Sequence, residues 1–393
     1  MESPVFSQLG RAKVRKMWVL LRRVIALAEL IGLPRASVAI SQPGASPPLV
    51  KRHKQKAETW DSICAVDRIV SIMWSLPLAT ANCLHLKRPP TSPEGQVIPR
   101  AYLYNLADIA SRILEQDNAC SSGRSLTELF NAVIGTDQEL RSLASLAPPN
   151  WWKISWSELS VDAVLQYWHQ YLTVRTHLQL AIRYDEDQRF AFNFITCLDA
   201  CQNMARRYVS LRALLPAGFF ACHVLDLQVF TAAIFLLLAS HRTARSLGIS
   251  PQAVDVDFTT VDQVVQTMEA AGRAGGGFAH QAADAIRSLS SLLQQPHMSD
   301  SQKLTLSLPL VGKIHVSRKS SASMPAPTWS YPAPNSQPQP NLAPQTMHTS
   351  SSELDLMTSL SYSMELPEDY SFLTDEPFGI EQWLTWSGSA GNS

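Results

Sequence analysis

The sequence is short of the residues from which common active sites are assembled. It has six cysteines, Cys64, Cys83, Cys120, Cys197, Cys201 and Cys222, and no two are spaced as Cys-x2-Cys. That spacing excludes a zinc ribbon and argues against a disulfide framework, so a reducing compartment is expected. No phosphate loop of the Gly-x4-Gly-Lys-Ser/Thr type, no His-Glu-x2-His and no Gly-x-Ser-x-Gly occurs. The glycine-rich "AGRAGGGF" lacks the phosphate-binding lysine and a preceding strand, and reads as a loop between helices. His169 and His177 share one helical segment but differ in direction by about 80°, which disfavours a shared metal. No cofactor or metal site, and no enzyme, is expected from these residues.

Charge of one sign is lacking too. Lys plus Arg and Asp plus Glu are 33 each, so no global field draws the chain to nucleic acid or membrane. Long apolar runs are absent. The longest strong one, Val229 to Ala239, has eleven residues, too short to span a bilayer. Near the start, "MWVLLRRVIALAELIGLP" is interrupted by Arg22, Arg23 and Glu29 and has no small-residue cleavage pattern, unlike a signal peptide. A soluble intracellular protein without membrane contact is expected.

What is present is helical periodicity. Hydrophobic residues make up 46% of the 393, enough for a large core. Residues 17 to about 31 form a helix stopped by Gly32-Leu33-Pro34. A proline-containing loop over 41–58 is expected to close on "KRHKQK", and Thr59 to cap the next helix, which Pro77 ends. Helical patterns recur in "AYLYNLADIASRILEQ", "SVDAVLQYWHQYLTVRTHLQLAIR", "FAFNFITCLDACQNMARRYVSLRALL" and "FAHQAADAIRSLSSLLQQ", and over 221–241 and 260–271. Strand-like alternation is confined to "KLTLSLPLVGKIHV". The expected fold is all-α, with about nine or more helices, over residues 1–316.

Composition then changes. Residues 317–350 hold seven prolines among Ser, Gln, Asn and Ala, too little apolar surface to offset ordering entropy, and read as a disordered linker. Residues 351–393 carry eight acids and no Lys or Arg. Interleaved with the acids are aromatics, among them Phe372, Trp383 and Trp386. Acid mixed with aromatic and leucine residues describes activation tails, in which the acids keep the aromatics solvated for coactivator grooves. A merely solubilising tail is the competing reading.

Two further stretches invite a role. The run Lys51, Arg52, Lys54 and Lys56 fits a nuclear-import or phosphate-contacting patch, or else a solvated surface. In "TWDSICAVDRIVSIMWSLPLAT", Asp67 falls on the helix face of Trp60, Ile63, Val70 and Trp74. Its neighbour Arg68 cannot face it. A buried carboxylate needs a partner, and Arg23, or a tryptophan N–H, is expected to meet Asp67 across a helix contact, as a structural pair.

The order of these features resembles the fungal-specific transcription factor domain, the regulatory middle region of fungal zinc binuclear cluster regulators. The match reads "LAELIGLPRA", then "ETWDSICAVDRIVSIMWSLPLAT", then "YWHQYLTVRTHLQLAI", "CLDACQNMARRYVSLR", "LQVFTAAIFLLLASH" and "LSLPLVGKIHV", from about Arg11 to Val316. It departs at Pro34, where the family's Gly-Leu-His-Arg has histidine, at Ser75 of the family's Gly-x-Pro, and at Ala26, where an arginine is common. Members open with six cysteines holding two zinc ions that place a short helix on DNA. No such cluster stands here, so the chain is expected to begin partway into the regulatory domain, and zinc only with a missing N-terminal cluster.

The resemblance implies a nuclear regulator of RNA polymerase II genes in a metabolic pathway, such as a secondary-metabolite gene cluster. It implies coactivators or the general transcription machinery as partners of the tail, DNA contact that is indirect or made by the missing cluster, and homo- or heterodimers. The alternatives are a partner-dependent or competing regulator without its own DNA-binding module, and a helical enzyme or scaffold.

Overall fold

A computed structural model describes residues 4–40, 46–74, 76–80, 88–121, 125–154, 156–184, 187–215, 220–246, 258–273, 277–294, 303–308 and 312–317. Ten α-helices, three short 3-10 turns and one short hairpin make up the regular elements among the described residues. In chain order the helices are α1 (Pro4–Leu30), α2 (Ala36–Ile40), α3 (Pro47–Trp74), α4 (Pro99–Ser121) and α5 (Leu126–Leu146). They continue with α6 (Val161–Ala181), α7 (Ala191–Leu214), α8 (Phe220–Ser246), α9 (Phe258–Arg273) and α10 (Gly277–Gln294). The expected all-α class is correct. The segment with strand alternation forms an antiparallel pair, β1 (Lys303–Leu308) and β2 (Gly312–Ser317), in the register Leu304 to Val316 and Leu306 to Ile314.

Local sequence explains the helix ends. Gly32 sits at φ 75°, the left-handed conformation that ends α1 and that a β-carbon would strain. Ser125 caps α5 by accepting from the Glu128 N–H at 3.3 Å, and Ser160 caps α6 by accepting from Ala163 N–H at 3.1 Å.

Two expectations near the start need correction. Residues 47–58 are not loop but the first turns of α3, so the basic run is helical. Thr59 is therefore no cap; its hydroxyl donates back to the Gln55 carbonyl at 2.9 Å. Pro47 and Pro48, expected within that loop, open the helix instead. At the first helical positions proline lacks only an N–H that has no intrahelical partner anyway, and its fixed φ suits the helix. The linker and tail expected over 317–350 and 351–393 lie, Ser317 apart, outside the described residues.

One main core joins nearly all the helices. Its middle is α6 and α7, which pack on each other along their lengths, with α4 and α5 against α6 and with α8 and α9 against α7. Tyr102, Tyr167, Leu172, Met204, Tyr208 and Leu211 are among its fully buried members. A satellite of Leu129, Val133, Leu180 and Phe190 lies under α5. α1 is peripheral, resting chiefly on α3 and the turn at Leu33–Arg35.

The packing makes a direct prediction. Leu172→Ala in the middle of α6 removes a fully buried side chain and should cost about 2–5 kcal/mol. Leu146→Ala, at the exposed end of α5, should change stability by no more than about 0.5 kcal/mol. Urea unfolding of the two variants against wild type checks both.

Candidate functional site

The acid on the apolar face of α3 draws together three segments of the chain. Asp67 is 0% exposed. Beyond Trp74 the chain folds back, with the Leu76 N–H donating to the Ser71 carbonyl at 2.9 Å. That return brings residues 79 and 80 over the carboxylate. Asp67 Oδ2 accepts from the Ala79 N–H at 3.0 Å, the Thr80 N–H at 2.9 Å and the Thr80 hydroxyl at 2.8 Å. Its Oδ1 faces Arg22 Nη1 at 3.6 Å. The Arg22 guanidinium also donates to the Pro77 carbonyl and lies 4.9 Å from the centre of the Trp18 ring.

The partner on α1 is therefore Arg22 and not the expected Arg23, which is exposed. The reason is angular. Leu21, Ile25 and Ala28 turn inward on α1, and at about 100° per residue Arg22 borders that face while Arg23 points away from it. Nor is a tryptophan N–H the donor among the described contacts; backbone and hydroxyl groups take that place. Arg68, also buried, turns to the opposite side and pairs with Asp108 of α4. The adjacent Asp67 and Arg68 thus fasten α3 to different neighbours, as their divergence on a helix requires.

Several other buried polar groups are paired in the same structural manner. His177 lies between α5 and α7, with Nε2 3.1 Å from Asp137 Oδ1 and Nδ1 3.0 Å from Asn193 Nδ2. Burial alone would raise the Asp137 carboxyl, but hydrogen bonds from His177 and Arg141 outweigh it and hold the group below its usual range. His169 Nδ1 stands 3.0 Å from the Tyr102 hydroxyl, and burial, with Arg207 nearby, pushes its pKa down to about 3. That ring is neutral at ordinary pH. Asp226 joins the Tyr208 hydroxyl at 2.6 Å and Arg212 Nε at 3.1 Å. Cys64, Cys197, Cys201 and Cys222 are buried free thiols, and burial beside Cys197 pushes the Cys201 thiol up, the reverse of an activated nucleophile.

Among the described residues no three His, Cys, Asp or Glu side chains are placed to share a metal ion, and no helix is long and apolar enough to cross a membrane. Asp108, Asp137, His169, His177 and Asp226 each link one helix to another. Lys51, Arg52 and Lys54 project from α3 into solvent, and Lys56 is half-buried. Phe372, Trp383 and Trp386 lie outside the described residues. Sequence reasoning missed Arg22, Thr80, Asp108, Asp137 and Asp226. Only Arg22 had a readable signal, its spacing of four from Trp18, which stacks the two on one helix face.

Known proteins agree on the kind of molecule. The chain is 27% identical over 299 residues, 72% of its length, to a dehydrocurvularin biosynthesis regulator of Aspergillus terreus. It is 25% identical over a 299-residue match to the protein of the same name from Alternaria cinerariae. The chain is similar to fungal pathway regulators. A third relative is the transcription factor sdnS of Sordaria araneosa, 22% identical over 235 residues, 57% of this chain and 30% of that protein. None of these relatives is named as an enzyme, in accord with the missing catalytic motifs. The chain spans only 40% and 38% of the two biosynthesis regulators. No family model matches the chain, and no solved structure does.

The site's energetics separate the two arginines. Asp67→Ala leaves the Ala79 and Thr80 N–H groups and the Thr80 hydroxyl without their acceptor and Arg22 without its counter-charge, and should cost about 3–5 kcal/mol. Arg23→Ala should change stability by at most about 0.5 kcal/mol. Chemical unfolding measures both, and equal losses at the two positions would refute the assignment.

Proposed function

We propose that this chain is the regulatory region of a fungal transcription regulator controlling RNA polymerase II genes of a secondary-metabolite pathway. The observation that carries the proposal is the match to two biosynthesis regulators across 72% of the chain. The motif order that resembles the fungal-specific transcription factor domain adds to it, as does the all-helical body. A nuclear location follows from that role. In this reading the helices form the domain, residues 317–350 a linker and residues 351–393 an activation tail. The tail would engage coactivators or the general transcription machinery, and DNA would be reached through a zinc cluster outside this sequence or through a partner protein.

The physical roles divide accordingly. Asp67, Arg22, Arg68 and the other ion pairs hold the domain together. The basic turn at Lys51, Arg52, Lys54 and Lys56 supplies the import or phosphate-contacting surface. Phe372, Trp383 and Trp386 carry the apolar contacts of the tail, kept soluble by the acids between them.

Three measurements test the reading. Residues 351–393 fused to an unrelated DNA-binding domain should activate a reporter, and changing Phe372, Trp383 and Trp386 together to Ala should abolish activation; an inert wild-type fusion would sink the tail's role. Replacing Lys51, Arg52, Lys54 and Lys56 with Ala in the full chain should shift a fluorescent fusion from nucleus to cytoplasm without loss of folding. Disrupting the gene in its source organism should silence one biosynthetic cluster, and an unchanged transcript profile would count against pathway control.

A further inference from the structure

The helical body seals in one cation that has no counter-ion. Arg207 of α7 is 4% exposed, and among the described residues its guanidinium meets no carboxylate. Its acceptors are neutral. Nη2 donates to the Trp152 carbonyl at 2.9 Å, and Nη1 to the Asn203 carbonyl at 3.3 Å and the Asn203 side-chain oxygen at 3.5 Å. Its Nε is buried and has no acceptor. Arg68 and Arg212, by contrast, each meet an aspartate. The exposed Asp199 acts on Arg207 only from a distance, and burial pushes the guanidinium pKa down to about 10. Gln166 of α6 shares this situation. It is 1% exposed, its Nε2 donates to the Trp151 carbonyl, and its Oε1 is buried without a donor.

A single short turn, Pro149–Trp152, covers both side chains. Pro149 and Asn150 are exposed, Trp151 and Trp152 half-buried, and Lys153 beside them exposed. The Trp151 ring lies 5.0 Å from that of Tyr102, the Trp152 ring 5.0 Å from that of His169, and Arg207 5.9 Å from the centre of the Trp152 ring. Apart from these contacts the turn is held by the Trp152 indole N–H, which reaches the Ala144 carbonyl at 3.4 Å, long for a hydrogen bond. Gln166 and Arg207 therefore grip the carbonyls of two consecutive residues. A carboxylate offers two oxygens to the same donors, with a charge that the carbonyls lack, and charge-assisted bonds are the stronger kind. It also relieves a buried cation that is costly to keep unpaired.

We infer that Arg207 and Gln166 form a binding site for a small organic carboxylate bearing a flat apolar group, with the turn Pro149–Trp152 as its lid. The carboxylate takes the guanidinium fork and the Gln166 amide in place of the Trp151 and Trp152 carbonyls. The flat group lies against the displaced indoles, and Lys153 at the rim draws the anion in. The turn joins α5 to α6 and is clamped to α7, so lifting it carries occupancy to the surface of the body. The inference stands on geometry and does not depend on the transcription reading.

Isothermal titration of the full chain with benzoate, phenylacetate and trans-cinnamate, and with the matching neutral alcohols, tests the site. At least one of the acids should bind saturably, and its alcohol about tenfold more weakly. Amide hydrogen exchange at residues 150–154 should quicken severalfold on binding, because the lid lifts. Arg207→Lys keeps the charge but loses the fork and should weaken binding about tenfold. Lys153→Glu, at an exposed position that leaves folding intact, should weaken it about two- to fivefold. No saturable binding of any of the three acids would overturn the inference. So would equal binding of acid and alcohol, an affinity indifferent to both substitutions, or unchanged or slowed exchange at the lid. The reporter fusion contains none of these residues, so this inference and the transcription reading fail separately.

Discussion

One carboxylate sets the geometry at the head of this fold. Asp67 sits at 0% exposure among the tryptophans of α3, where an ionised acid is tolerated only if its oxygens are occupied. Its Oδ2 accepts from two consecutive backbone N–H groups and the hydroxyl of Thr80, and its Oδ1 faces the Arg22 guanidinium of α1 at 3.6 Å. Because the acceptor is buried and rigid, the donors must come to it. The chain after Trp74 doubles back over it, and α1 turns Arg22 toward it. Three segments thus meet at one side chain.

The same device recurs through the body. Arg68 with Asp108 ties α3 to α4, His177 with Asp137 and Asn193 ties α6 to α5 and α7, and Asp226 with Tyr208 and Arg212 ties α8 to α7. Helices that share a broad apolar core can slide or rotate at little cost, since hydrophobic burial is not directional. Buried ion pairs and hydrogen bonds are directional, and a misaligned one leaves a charge unpaired. That selects one arrangement of many, and it is why the acids and histidines here are spent on structure.

How far the fold was legible depended on the kind of signal. Helix existence was plain from periodicity, and Gly32, Ser125 and Ser160 mark ends in the way their chemistry predicts. The start of α3 was misjudged because Pro47 and Pro48 read as loop, although at a first turn they favour the helix. Asp67 was legible as a buried acid needing a partner. Which residue would meet it was not, because Arg22 and Arg23 differ only by a rotation of about 100° on α1, and nothing local states which face turns inward.

The sequence by itself determined the all-α class, the absence of recognisable catalytic and metal-binding patterns, the charge opposition between the two ends, and the demand for a partner at Asp67. These follow from composition, period and the cost of burying charge, all of which are local. Only the tertiary structure decided that Arg22 and Thr80 answer Asp67, that Arg68 turns to Asp108, and that Leu20, Val24, Leu27 and Ile31 on α1 are left outside the core. Those outcomes depend on how helices far apart in the chain rotate and pack against one another. Periodicity shows that a face is apolar, but packing alone settles whether another helix covers it.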